Sequence, residues 1–398
     1  MNDNDKQHYF DLVKGAIFGQ AIGDALGHPI EFQKTHKVVG LEPDNKFTDD
    51  TQMFAAIGEA MLEAPPHLDT EKFMDVLAQK FIDWRSNPLG GSHRAPGNTC
   101  MEAVRKLGTG RHWRQTGATA IGKGNGSAMR AGIIGARYWK NPAYAFRIGC
   151  LTSVPTHNNL EAILASGMVA FLVAASIAGR DWDTAVADGL ELCSLFEHNV
   201  PDYPTNNVPM NGSRDGQSPW KTVTLFANGF IRAYGTAPEE FVKTNGNDFT
   251  TVPAVAEAIY YNTRNDAFDE MVLECANYSD DSDTITAITG TIAGARFGFD
   301  EIARSGDDIR NLDDEDLDGE DTTRWTDMIE MREYLEDLSN RIFEASIEED
   351  ALTVEKREVV ATVERVLDVE EFGTDDESFG DGVPEVVVTD DADFEVEF

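Results

Sequence analysis

Two short stretches of this chain gather oxygen-bearing side chains where apolar, helix-like runs begin. FTDDTQM, residues 47–53, sets Thr48, Asp49, Asp50 and Thr51 at the start of a face formed by Met53, Ala55, Ile57 and Met61. SDDSDT, residues 279–284, does the same before ITAITGTIAGARFG. One capping side chain satisfies the free amides of a helix start, and an acidic first turn complements the helix dipole. That ordinary reading accounts for either stretch alone. Taken together they admit a second reading, because hard cations such as Mg²⁺ and Mn²⁺ take oxygen ligands. Thr48, Asp49, Asp50, Asp281, Asp283 and Thr284 supply six, which suits about two ions sharing carboxylates, with water or substrate completing the shell. Clustered carboxylates repel unless a cation neutralises them. Both readings stay open on these residues alone.

Three further groups carry potential chemistry. GKGNGSAMR, residues 122–130, is a glycine-rich loop running into a helix, and its free amides suit an anion such as a pyrophosphate or form a plain turn. THNNLEA, residues 156–162, sets His157 just before a helix, as a cap, a surface group or a ligand contact. Glu31, in GDALGHPIEF, closes the first helix and reads as an ordinary loop carboxylate or a site residue.

The elements that must position these groups read as helices. The first covers Tyr9 to about Gly27 and carries Gly15, Gly19, Gly23 and Gly27 on one stripe, spaced by four. Glycine is costly inside a helix, so the stripe implies a backbone or ligand pressed close. Helix packing suits Gly15 and Gly19, whereas Gly23, beside Asp24, is expected to face a cleft. Helical periodicity returns at residues 49–63, 70–84, 98–107, 142–153, 160–179, 183–197, 221–235, 252–262, 267–276 and 284–297. Period-two strands are scarce, so an all-α fold is expected, with function carried by the loops. Residues 198–220 form the longest expected loop, rich in Pro, Asn and Gly.

Composition bounds the rest. The 398 residues are 41% hydrophobic, ample for a large core. Asp and Glu number 71 against 33 Lys and Arg, a formal charge of -38 that repels a nucleic-acid backbone and suits an interior of high salt. Cys100, Cys150, Cys193 and Cys275 are scattered, which argues against a structural zinc site or a disulfide framework. The N-terminus is polar, without the apolar run of a signal peptide, so a cytoplasmic monomer is expected. AILASGMVAFLVAASIAG, residues 162–179, reaches the lower length of a membrane span, but small residues dilute it and no basic flank accompanies it. A buried core helix is expected there, and no membrane partner. Residues 346–398 are dominated by Asp and Glu and read as an acidic tail, disordered or loosely docked, following a domain of residues 1–345.

GAIFGQAIGDALGHPIEF, FTDDTQM, RAPGNTC, GNGSAMR, THNNLEA and SDDSDTITAITGTIAGARFG fall in the order and spacing that resembles the ADP-ribosylglycohydrolase family, from about residue 10 to 300. The resemblance implies a compact, orthogonal multi-helix domain with a dinuclear metal cleft, holding Mg²⁺ or alternatively Mn²⁺, that removes ADP-ribose from a modified protein or small conjugate. Carried over by position, Thr48, Asp49, Asp50, Asp281, Asp283 and Thr284 look like the metal ligands. Glu31 resembles the mobile-loop glutamate near the metals; Asn98, Gly124, Asn125, Gly126, Ser127, Met129 and His157 look like ADP-ribose contacts. Glu31, Asp50 and Asp283 are the expected catalytic residues. Two departures stand out. Ser279 and Asp280 replace a pair of glycines before the second metal motif, and Ala95 stands where many members carry an Asp. A silent ADP-ribose reader, or a hydrolase of another ribosyl or nucleotide conjugate, is the alternative function.

Overall fold

A computed structural model of the chain describes residues 1–33, 37–120, 124–195, 219–246, 249–305 and 324–347. Sixteen α-helices and no strand occur among them. In chain order these are α1 (Asp3–Gly27), α2 (Asp49–Glu63), α3 (Thr70–Ser86), α4 (Asn98–Leu107), α5 (Gly132–Arg137), α6 (Pro142–Ser153), α7 (Leu160–Ile177) and α8 (Trp182–Ser194). There follow α9 (Pro219–Arg232), α10 (Pro238–Asn245), α11 (Thr251–Arg264), α12 (Phe268–Tyr278), α13 (Ser282–Phe297), α14 (Phe299–Arg304), α15 (Trp325–Met328) and α16 (Arg332–Ile347). The all-α expectation is met. The expected acidic tail from residue 348 onward, and residues 198–218 of the expected long loop, lie outside the described residues.

The glycine stripe of α1 determines where the acidic stretches meet. A methyl group at Gly15, Gly19, Gly23 or Gly27 would stand 2.3, 2.1, 2.2 and 2.2 Å from the backbone oxygens of Gly294, Gly290, Thr286 and Ser282. α1 and α13 therefore run antiparallel with their backbones in contact, and the end of α1 lies against the start of α13. Gly23 faces α13 and not a cleft, which corrects the expectation. Its missing side chain admits the Thr286 carbonyl.

This packing yields a direct expectation. Gly19→Ala gains helix propensity of about 1 kcal/mol but overpacks a rigid backbone, a cost of about 3 kcal/mol. A net loss in denaturant unfolding is expected. Gly108→Ala, where the nearest atom stands at 3.5 Å, should change stability by no more than about 0.5 kcal/mol.

The longest apolar helix, α7, has 94% of its residues buried inside the fold, as a core helix requires. Asn159 caps its start by accepting the Ala162 amide at 3.1 Å. α1 begins earlier than periodicity suggests, at a capping box between Asn2 and Asp5. Periodicity also omits the short helices α5, α10, α14 and α15. It omits α16 as well, although Leu335, Leu338, Ile342 and Phe343 give that helix a buried stripe within an acid-rich segment. Two ion pairs fasten the C-terminal segment to the elements that carry the first acidic stretch. Arg341 binds Glu59 on α2 at 2.6 and 2.9 Å, and Arg94 binds Glu330 at 2.6 and 3.0 Å.

Candidate active site

The start of α2 is held from outside. Asp24, fully buried on α1, accepts the Thr48 amide at 2.8 and 2.9 Å, the Thr51 amide at 3.0 Å and the Thr51 hydroxyl at 2.6 Å. Thr48 is the N-cap, its side chain accepting the Asp50 amide at 3.4 Å. Asp24 and Thr48 thus do the work of capping, and the carboxylates of Asp49 and Asp50 are surplus to it. Both are nonetheless buried, at 3% and 2% exposure. Asp50 Oδ2 has no hydrogen-bond partner.

The second stretch shows the same surplus. Asp281 is the N-cap of α13 but makes no side-chain capping bond, unlike Asp69 and Asp181, which cap α3 and α8. Its Oδ2 instead accepts Asn125 Nδ2 at 2.8 Å, which ties the glycine-rich loop to the acidic motif. The Thr284 hydroxyl faces the Asp50 carboxylate. Ser279 is buried and donates to Glu257 Oε2 at 2.8 Å, and Glu257, also buried, accepts Asn245 Nδ2 at 3.1 Å. The serine that departs from the family pattern therefore has its own partner in α11. Asp280 is exposed, and its carbonyl accepts the Phe32 amide at 2.8 Å.

These elements enclose a cavity of about 490 Å³. Glu31, Asp49, Asp50, Asp281, Asp283 and Thr284 line it together with Asn98, Gly124, Asn125, Gly126, Met129 and His157. Thr48 and Ser127 are not in the wall. Thr48 is turned into its helix start, and Ser127 Oγ donates to the Ala162 carbonyl at 3.5 Å. The loop is braced from α11, where Thr251 Oγ1 donates to the Gly124 carbonyl at 3.0 Å, and from Phe249, whose carbonyl accepts the Asn125 amide at 3.1 Å. Gln20 on α1 donates to the Met129 carbonyl at 2.9 Å.

Sequence reasoning passed over several residues of this site. Phe32 and Phe249 line the cavity while 55% and 42% exposed, and no periodicity marks them. Asp24 and Glu257 act from behind the wall. Their signal was a carboxylate inside an otherwise apolar helical face. Ala95 also lines the cavity and holds a left-handed backbone, at φ 47°, a conformation that Asp and Asn tolerate better than Ala.

The electrostatics test whether cations fit. Burial, then the neighbouring Asp24 and Asp49, hold the Asp50 carboxyl well above the usual range. Burial, then Asp24, does the same for Asp49, and burial, then Asp50 and Asp281, for Asp283. Asp24 itself is raised to about 6 by burial, against its hydrogen bonds. One ligand atom each from Asp24, Asp50 and Asp283 lie within 4.8 Å of one another, as do those of His28, Glu31 and Asp283. Oxygen donors, a buried oxygen without a partner and mutual repulsion together fit a hard divalent ion. Because the Asp24 oxygens are committed to the α2 start, Asp24 is a brace and the surplus carboxylates are the candidate ligands.

A family model described as ADP-ribosylglycohydrolase matches residues 5–351. The chain is 25% identical over 359 residues to "ADP-ribosylarginine hydrolase Tri1" of Serratia proteamaculans, covering 85% of this chain and 81% of that protein. It is 26% identical to "ADP-ribosyl-[dinitrogen reductase] glycohydrolase" of Rhodospirillum rubrum, covering 73% and 87%. A solved structure called "ADP-ribosylglycohydrolase-related protein complex" shares the fold, with a TM-score of 0.57 at 20% identity over 86% of this chain and 100% of that one.

Proposed function

The chain belongs to the ADP-ribosylglycohydrolase family, and from that premise we propose that it is a metal-dependent hydrolase of the glycosidic bond between ADP-ribose and an acceptor. The observation that carries this reading is the meeting of two acidic helix starts in one cavity, joined there by a glycine-rich loop. The names of the two relatives, one acting on ADP-ribosylarginine and one on ADP-ribosylated dinitrogen reductase, support the substrate class.

In this reading Asp49, Asp50, Asp281, Asp283 and Thr284 would hold two divalent ions, with Mg²⁺ the first expectation and Mn²⁺ the alternative; Thr48 shapes the helix start from which two of those ligands project. Ions held there would supply Lewis-acid stabilisation of developing charge beside the ribose. The chain's own residues do the rest. The amides of Gly124 and Gly126 and the side chains of Asn98 and His157 hold the ADP-ribose. The buried carboxylates favour positive charge developing on the ribose ring as its bond to the acceptor stretches. Glu31, in the wall and 3.8 Å from His28 Nδ1, takes the proton of the water whose oxygen bonds the ribose carbon. That proton passes on to the acceptor atom released when the glycosidic bond breaks.

Arginine-linked, serine-linked and free ADP-ribose conjugates, assayed side by side with Mg²⁺, Mn²⁺ or EDTA, test this. Release of ADP-ribose from at least one linkage, lost in EDTA and restored by either ion, is expected. Tight ADP-ribose binding without turnover of any conjugate would make the chain a reader of the modification instead.

A further inference from the structure

Arg130, which closes GNGSAMR, is fully buried behind the ligand-facing loop. Its partners are Thr156 Oγ1 at 2.6 Å, the Thr152 carbonyl at 3.3 Å, Met53 Sδ at 3.4 Å and Cys100 Sγ at 3.8 Å. No carboxylate is among them, and Nε has no partner. Its guanidinium lies 4.4 Å from the centre of the Phe81 ring. A buried cation that no carboxylate touches, with Asp49 acting on it only through space, is expensive, so its position calls for a reason.

Thr156 supplies one. Its Oγ1 accepts Arg130 and lies 2.9 Å from His157 Nδ1. The hydroxyl proton has two destinations, His157 Nδ1 and the Ser153 carbonyl, which is 3.5 Å away. That carbonyl already accepts the amides of His157 at 2.7 Å and Thr156 at 3.1 Å, so both its lone pairs are used. The proton therefore goes to Nδ1. A ring that accepts at Nδ1 carries its hydrogen on Nε2. Nε2 faces Gly126 in the cavity wall, and among the described residues the only hydrogen bond of the ring is the one at Nδ1. Burial, and then the neighbouring Arg130 charge, oppose a second proton on the ring.

We propose that Arg130, acting through Thr156, fixes His157 as a neutral imidazole whose Nε2–H donates into the cavity, which makes Arg130 and Thr156 positioning residues. What the donor meets there rests on the ADP-ribose reading above. A neutral donor contributes a directed hydrogen bond without adding a charge beside the metal-binding carboxylates.

The test uses the full chain with Mg²⁺ and ¹⁵N-labelled histidine, with His157 assigned through His157→Gln. The wild type should show hydrogen on Nε2 and none on Nδ1. Thr156→Val, nearly isosteric, should turn this into a mixture of tautomers and weaken ADP-ribose binding about tenfold. Thr156→Ser, which keeps the hydroxyl, should restore both. Arg130→Met gives a second route to the same loss if the valine variant folds poorly. Hydrogen on Nδ1 in the wild type, or an unchanged pattern in both Thr156→Val and Arg130→Met, would overturn the relay. A lost pattern with unchanged ADP-ribose affinity would overturn the donor's role. Wild type that shows the pattern but binds no ADP-ribose would leave the relay standing and remove the functional reading instead.

Discussion

Asp50→Asn lowers hydrolysis of the ADP-ribose conjugate by about a thousandfold, the ~4 kcal/mol expected when a carboxylate that helps hold a catalytic cation loses its charge. The substitution preserves shape and removes charge from the oxygen that lies buried without a partner. It also relieves repulsion from Asp24 and Asp49, so the metal-free protein should be no less stable than the wild type. A far-ultraviolet spectrum and a melting curve check the fold, and single-turnover release of ADP-ribose checks the chemistry. Asp283→Asn should behave alike, since its carboxyl is held up by the same causes. Asp280→Asn, a change of equal charge at an exposed neighbour, should stay within about twofold. Near-wild-type turnover in Asp50→Asn would return the stretch to an acidic helix start.

Much of this site was legible because its signals are local in the chain. Surplus carboxylates at two helix starts stand out against what a cap needs, and a four-residue glycine spacing announces close helix contact. What was not legible depends on which helices meet. Gly23 reads as cleft-facing from its position beside Asp24, and only the α13 backbone, brought in from 263 residues away (Thr286 less Gly23), shows the contact that fills the space. Asp24 stands out in sequence only as the neighbour of Gly23, and its role shows once its oxygens are seen to be used by Thr48 and Thr51. Ser279 looks like a flaw in the second motif until Glu257 is seen to receive its hydroxyl. In each case the missing information was a long-range partner. Phe32 and Phe249 were missed for a different reason: an aromatic at the mouth of a cleft has no helical period to reveal it.

Metal binding and pH should be linked in a direction that the carboxyl cluster dictates. Asp49, Asp50 and Asp283 are held well above, and Asp24 at about 6 against, an ordinary value of 3.8. The folded metal-free chain therefore binds more protons than the unfolded chain, so the stability present below about pH 3.8 is lost as pH rises through 6 and beyond. In EDTA, the melting temperature of the wild type should fall across this window more than that of the Asp50→Asn/Asp283→Asn double mutant. A divalent ion requires the same groups deprotonated, so its stabilisation grows over the window in which the apo protein weakens. At a hundredfold excess over its dissociation constant the ion adds about 3 kcal/mol, a rise of several degrees. The gap between Mg²⁺ and EDTA melting curves should thus widen with pH in the wild type and nearly close in the double mutant. All curves need constant high NaCl, because a chain of net charge -38 gains stability from any salt through screening. A gap that is independent of pH and equal in both proteins would mean that the divalent ion acts on the surface charge, and the cluster at the two helix starts would lose its claim to the metal.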